Sequence, residues 1–158
     1  MTNSVFDPIA SVPRERDATL AFIDVLRREQ HALQHSDASL LLSLATEKAR
    51  DAQQLAQLIS ARNCWLAMSG YSQDRVGMER GLQDWPAAAD SWRDLLQLAE
   101  TANELNNINS IIVGQRLRYN QQRLSALQAA TRSAQGAGLY GSDGQPQPFP
   151  GGRMLGEV

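Results

Sequence analysis

Cysteine is nearly absent from this chain of 158 residues, and the single one, Cys64, can form neither an internal disulfide nor a cysteine-based zinc site. That usage fits a reducing cytoplasm. Charge of one sign is also lacking: the net charge of −2 gives no electrostatic case for nucleic acid as the main partner. No apolar run approaches the ~20 residues needed to cross a bilayer, so stable membrane insertion is not expected. The opening MTNSVFDPIASV has neither a basic segment nor an apolar one, so it does not read as a signal peptide. Aromatics are sparse, with three each of Phe, Tyr and Trp. β-Branched residues are also few, because Val, Ile and Thr together make only 17. In their place stand 20 Leu, 21 Ala and 15 Gln, residues that enter a helix at little cost, which points to an all-α protein.

Glycine and proline punctuate the chain. Seven of the 11 Gly and three of the six Pro fall between Gly136 and Val158, which reads as an extended or flexible tail. The expected divisions are an N-terminal lead over 1–12, a helical domain over 13–135 and a Gly/Pro-rich tail over 136–158. A first helix should start near Pro13, with Leu20, Ile23, Leu26, Gln30 and Leu33 as its buried stripe. Asp37 then caps a second helix, from about Ala38 to Met68, with the stripe Leu41, Leu44, Ala52, Leu55, Ile59, Trp65 and Leu66. Ser69-Gly70 closes it. Residues 71–85 hold at best a short helix, with Ser72 as a candidate cap. A last helix opens with Pro86 in its first turn and Asp84 as cap.

The last helix is the most informative. From Ala87 to Ala134 it contains no Pro and one Gly, Gly114. A line in 3.6-residue steps meets Leu95, Leu98, Ala102, Asn106, Asn109, Val113, Leu117, Asn120, Leu124 and Leu127. Residues 74–104 carry seven acids and three Arg, whereas 105–142 carry four Arg and no acid, a segregation that suits the dipole of one continuous helix. At 1.5 Å per residue this helix is roughly 70 Å long, against about 45 Å and 30 Å for the other two. The expected architecture is therefore an elongated antiparallel helical bundle whose long C-terminal helix outruns its partners. Part of its apolar stripe is left for something else to cover.

Little in the chain is equipped for chemistry. His31 and His35 have the i,i+4 spacing of a metal clamp, but Ala32 stands where a zinc peptidase needs its glutamate, and no third ligand is evident. They read as two polar residues near a helix end. Cys64 reads as a small buried filler, and Trp65, Trp85 and Trp92 as core more than as a binding patch. With two histidines on one segment, a catalytic triad has little support. No enzyme activity, cofactor or metal is expected. Arg116, Arg118, Arg123 and Arg132 read either as a solvated face complementing the dipole or as an attractor for an acidic partner. Asn106, Asn109 and Asn120 stand on the apolar line, where an unpartnered buried amide costs about 1–3 kcal/mol. They either set register inside the bundle or meet an incoming helix.

The segment ELNNINSIIVGQRLRYNQQRLSAL, from Glu104 to Leu127, resembles the pattern of the FlgN family of flagellar type III export chaperones. The matching positions are Asn106, Asn109, Ile111, Ile112, Asn120, Gln121, Gln122, Leu124 and Leu127. The tail is similar to the family's ending at Leu139, Tyr140, Gly141, Gly144, Gln145, Gly151, Gly152 and Arg153. Ser110 departs from the glycine common after the second asparagine, and residues 71–85 have no clear family match. The resemblance implies a cytoplasmic chaperone that binds the terminal helices of flagellar hook-filament junction proteins, keeps them unassembled and delivers them to the export gate. On that reading Asn106, Asn109, Ile112, Val113, Leu117, Asn120, Leu124 and Leu127 bind cargo, and Leu139 and Tyr140 contact the cytosolic domain of the export gate. A homodimer free of cargo stays open. The rival reading is a structural coiled-coil adaptor that self-associates through the long helix.

Overall fold

A computed structural model describes residues 6–136. Among the described residues there are four helices and no strand: α1 (Pro8–His35), α2 (Ala38–Met68), α3 (Arg75–Gly81) and α4 (Pro86–Gly136). The chain divides into two compact units, 1–113 and 114–158, with the break inside α4.

Several boundaries lie where the local chemistry demands. Asp37 caps α2 by accepting from the Leu40 amide at 2.9 Å. Gly70 follows α2 with a φ of +77°, the left-handed turn that glycine adopts without strain. Pro86 takes the first position of α4, where its missing N–H costs nothing. Three starts differ from expectation, and at α4 the residue before Pro86 is Trp85, whose carbonyl accepts from the Ala88 amide, so Asp84 does not hold the cap position. Helix α1 begins at Pro8, capped by Asp7, whose carboxylate accepts from the Ile9 amide at 3.0 Å. Pro13 therefore lies inside the helix. The extra turn is held because Val12, fully buried, packs with Leu66, Met78, Leu82, Ala88, Trp92 and Leu95. In α3 the cap is Asp74, not Ser72; the Ser72 hydroxyl instead donates to the Asp74 carboxylate at 2.7 Å.

In the first unit α1 and α2 run antiparallel. Arg28 pairs with Glu47 (2.9 Å), Glu29 with Lys48 (2.9 Å) and Glu15 with Arg62 (3.3 Å), so one helix rises as the other falls. The first half of α4 runs in the direction of α1. Val12 packs near Ala88 and Trp92, Ile23 and Leu26 pack with Ala102, and the Leu26 carbonyl meets Asn109. The result is an up-down-up arrangement of three long helices, with α3 in the connection.

The buried stripes are less apolar than expected. On α1 the line passes through Val12, Glu15, Thr19, Ile23, Leu26 and Leu33, while Leu20 is exposed. Two polar residues occupy it because each has a local solution: the Thr19 hydroxyl donates to the Glu15 carbonyl at 2.8 Å, and Glu15 pairs with Arg62. On α2 only Leu44, Asp51 and Leu66 are buried; Ala52 and Ile59, expected inside, are exposed. Cys64, expected as a buried filler, is also exposed, with its sulfur 3.9 Å from that of Met68 one turn on. Its side of α2 faces away from the core. Of the tryptophans, Trp92 is buried, Trp65 is half-buried and stacks on Phe6 with ring centroids 5.1 Å apart, and Trp85 is largely exposed.

Candidate docking face on the long helix

The line predicted along α4 is present, and its environment changes along its length. Leu95 and Ala102 are buried and Leu98 packs beside them. Asn109 is the last buried residue of the helix. Its Nδ2 donates to the Leu26 carbonyl and to Glu29 Oε2, both at 2.8 Å, while Oδ1 is buried with no partner among the described residues. Glu29 also takes Lys48, so one carboxylate receives a donor from α2 and another from α4. The sequence leaves two readings open for Asn109, register inside the bundle and the cargo contact that the family resemblance implies; its amide is engaged inside the first unit, between α4 and α1, as the register reading has it. Asn106 and Ile112 are half-buried and Val113 is exposed.

The second unit, taken by itself, is described over residues 114–136 as continuous helix. Leu117, Leu124 and Leu127 are 56%, 58% and 63% exposed, and Asn120 between them is exposed as well. At about 100° per residue these four side chains fall within about 80° of one another around the helix. Their spacing alternates three and four, the pattern that a partner helix reads as a seam. Tyr119 lies off that face, 60% exposed, with the Arg123 guanidinium 5.7 Å from its ring. Four arginines and no acid occupy residues 114–136.

The first unit also contains a groove of about 360 Å³ between α1, α2 and α4, lined by Glu15, Phe22, Leu55, Arg62, Trp92 and Leu95 among others. Arg62 lies over the Trp92 ring at 5.0 Å while it pairs with Glu15. Burial pushes the Glu15 carboxyl above its ordinary value, and the nearby Arg62 charge only partly opposes this. Sequence reasoning missed this cluster. An apolar-only search skips a glutamate and a threonine on the buried line, and the available signal was the four-residue step Glu15–Thr19 leading into Ile23 and Leu26. His31 and His35 stack at 4.1 Å, both exposed, with His35 Nδ1 2.8 Å from the His31 carbonyl. Among the described residues no three His, Cys, Asp or Glu side chains form a group that could hold a metal, and no helix is long and apolar enough to cross a membrane. Leu139 and Tyr140, the expected gate contacts, lie outside the described residues.

Comparison with known proteins adds what the geometry cannot. A family model described as "FlgN protein" matches residues 1–148. The chain is also similar to the flagella synthesis protein FlgN of Proteus mirabilis, with 30% identity over 104 residues, covering 61% of this chain and 68% of the relative. No solved structure matches the chain.

Proposed function

The chain belongs to the FlgN family of flagellar export chaperones, and from that premise we propose that its exposed helical face holds the terminal helices of hook-filament junction proteins in the cytoplasm before their export. The observation that carries this reading is the exposure of Leu117, Leu124 and Leu127 on one side of a helix. An isolated exposed leucine is ordinary, but three in register form a strip that a second amphipathic helix can cover. Covering the exposed part of each side chain is worth about 1–2 kcal/mol. Asn120, in the middle, supplies an amide that penalises a partner in the wrong register. The proposed cargo surface accordingly leaves out Asn109, which is already engaged within the first unit, and centres on Leu117, Asn120, Leu124 and Leu127. Shielding a client and handing it on needs binding alone, so no catalytic residue or cofactor is invoked. Delivery to the export gate is assigned to Leu139 and Tyr140, on the family resemblance of the tail.

Leu117→Asp and Leu124→Asp test the reading. Each should abolish co-purification with the junction proteins while the helical circular dichroism is unchanged. Complexes that survive both substitutions would place the cargo elsewhere. The three-four spacing also favours a second reading, a coiled-coil adaptor that pairs with its own copy. Sedimentation separates the two: the chaperone gives one-to-one complexes with client, and the adaptor a dimer that client does not disperse.

A further inference from the structure

The back of α4 carries a second strip, apart from the leucine stripe. Ile108, Ile111 and Tyr119 are 45%, 58% and 60% exposed. At about 100° per residue they lie within about 80° of one another, and their centre is roughly 150° around the helix from the line through Leu117, Asn120, Leu124 and Leu127. Arg118 borders the strip on one side and Arg123 on the other, and both are exposed. The Arg123 guanidinium stands 5.7 Å from the Tyr119 ring, which keeps that charge beside the strip. Arg132, also exposed, falls on the Arg118 side about four turns on. Arg116 is half-buried and plays no part in this surface. Charge is sharply divided along the chain. Residues 1–104 carry 15 acidic and 10 basic side chains, whereas 105–136 carry four Arg and no acid. Among the described residues no ion pair engages Arg118, Arg123 or Arg132.

We propose that this back face lies flat on an anionic lipid bilayer, with Arg118, Arg123 and Arg132 at the headgroup phosphates and Ile108, Ile111 and Tyr119 at the acyl boundary. Charge complementarity selects the partner, because cations on both sides of an apolar strip are the arrangement of a helix resting in a membrane interface. Aliphatic side chains between the cations suit lipid, whereas a single-stranded nucleic acid needs aromatic faces on which its bases stack. Gln115 and Gln122 fall within the strip, so contact stays shallow and charge supplies most of the binding. The proposal is independent of the cargo reading, which uses the leucines on the other side of the helix.

Flotation of the full chain with lipid vesicles tests it, using phosphatidylcholine alone and phosphatidylcholine with about one third phosphatidylglycerol. The chain should float with the anionic vesicles only, and raising the salt from about 0.05 M to about 0.5 M should release it. Arg118→Gln and Arg123→Gln should each weaken partitioning about fivefold, with helicity by circular dichroism intact. Ile111→Ser/Tyr119→Ser should also weaken it, while Leu117→Ser/Leu124→Ser should leave it unchanged. Leucine variants that lose junction proteins but still float would support the lipid face whatever becomes of the cargo face. Sensitivity to the leucines with indifference to Ile111 and Tyr119 overturns the proposal, and so does flotation that survives loss of both arginines. No flotation with anionic vesicles at about 0.05 M salt overturns it as well. Polyuridylate or polyglutamate held through Arg118 and Arg123 would then show a different polyanion to be the occupant.

Discussion

Asn109 and Asn120 are the same residue on the same stripe, and their substitution should have unequal consequences. Asn109 is 1% exposed, and its Nδ2 donates to a carboxylate and to a backbone carbonyl. The bond to charged Glu29 is worth about 1.5–3 kcal/mol and the one to the Leu26 carbonyl about 0.5–1.5 kcal/mol. Against these stands the buried, unpartnered Oδ1, whose removal returns about 1–3 kcal/mol. Asn109→Ala should therefore destabilise by a net of about 1–2 kcal/mol, a fall in Tm of roughly 3–8 °C for a domain of this size. Asn109→Asp is harsher. It turns the donor into an acceptor facing Glu29 and adds a buried like charge, for a loss of about 4 kcal/mol or more at neutral pH. Acidification should restore part of that loss, since two facing carboxyls can share one proton. Asn120→Ala, on an exposed site, should lie within about 0.5 kcal/mol of the parent. Thermal and urea denaturation followed by circular dichroism measure all three. If Asn109→Ala and Asn120→Ala melted together, the α1–α4 contact assigned to Asn109 would be refuted.

Three further expectations concern the first unit. A Cβ on Gly77 would lie 1.8 Å from the Ser72 carbonyl oxygen, so Gly77→Ala must displace the turn into α3 and should cost about 2–3 kcal/mol by urea denaturation. Gly70→Ala has open space around it, pays only the left-handed backbone strain, and should cost about 1–2 kcal/mol. Glu15 gives a pH dependence. Its folded-state pKa is raised above the usual 4.5, so the unfolded chain ionises first and stability falls as pH climbs from about that value to the raised one. Glu15→Gln should flatten this stretch of the stability curve, and a slope unchanged in the variant would assign it to other groups.

Much of the helical skeleton was legible in the residues. Asp37, Ser69-Gly70 and Pro86 mark ends by chemistry that acts within a few residues, and the long run without proline announces α4. The start of α1 was not, because Pro8 and Pro13 both suit a first turn, and only the burial of Val12 among residues from α2 and α4 favours the earlier one. Leu20 looked like core and Glu15 did not. What admits Glu15 is Arg62, a partner 47 positions away that no local pattern reveals. The sparse burial of α2 and the exposure of Cys64 have the same origin, since how many sides of a helix are covered depends on its neighbours. Along α4, length arithmetic predicted an uncovered stripe, and leucines half or more exposed lie where it falls. The division between Asn109 inside and Asn120 outside was illegible, because it depends on what stands opposite each amide.

The continuity of α4 from Pro86 to Gly136 has a thermodynamic consequence. A segment such as 114–136, cut free, must nucleate its own first turn, an event disfavoured by a factor of ~10³, or about 4 kcal/mol. Joined to a helix already held by Trp92, Leu95 and Asn109, it extends by propagation alone, one residue at a time and close to balance. A binding partner thus encounters a ready-formed helix, and the ordering entropy of association falls mainly on the partner. Loosening the packing around Asn109 would withdraw that nucleus, so on the proposed reading a residue outside the docking face helps set how firmly a partner is held there.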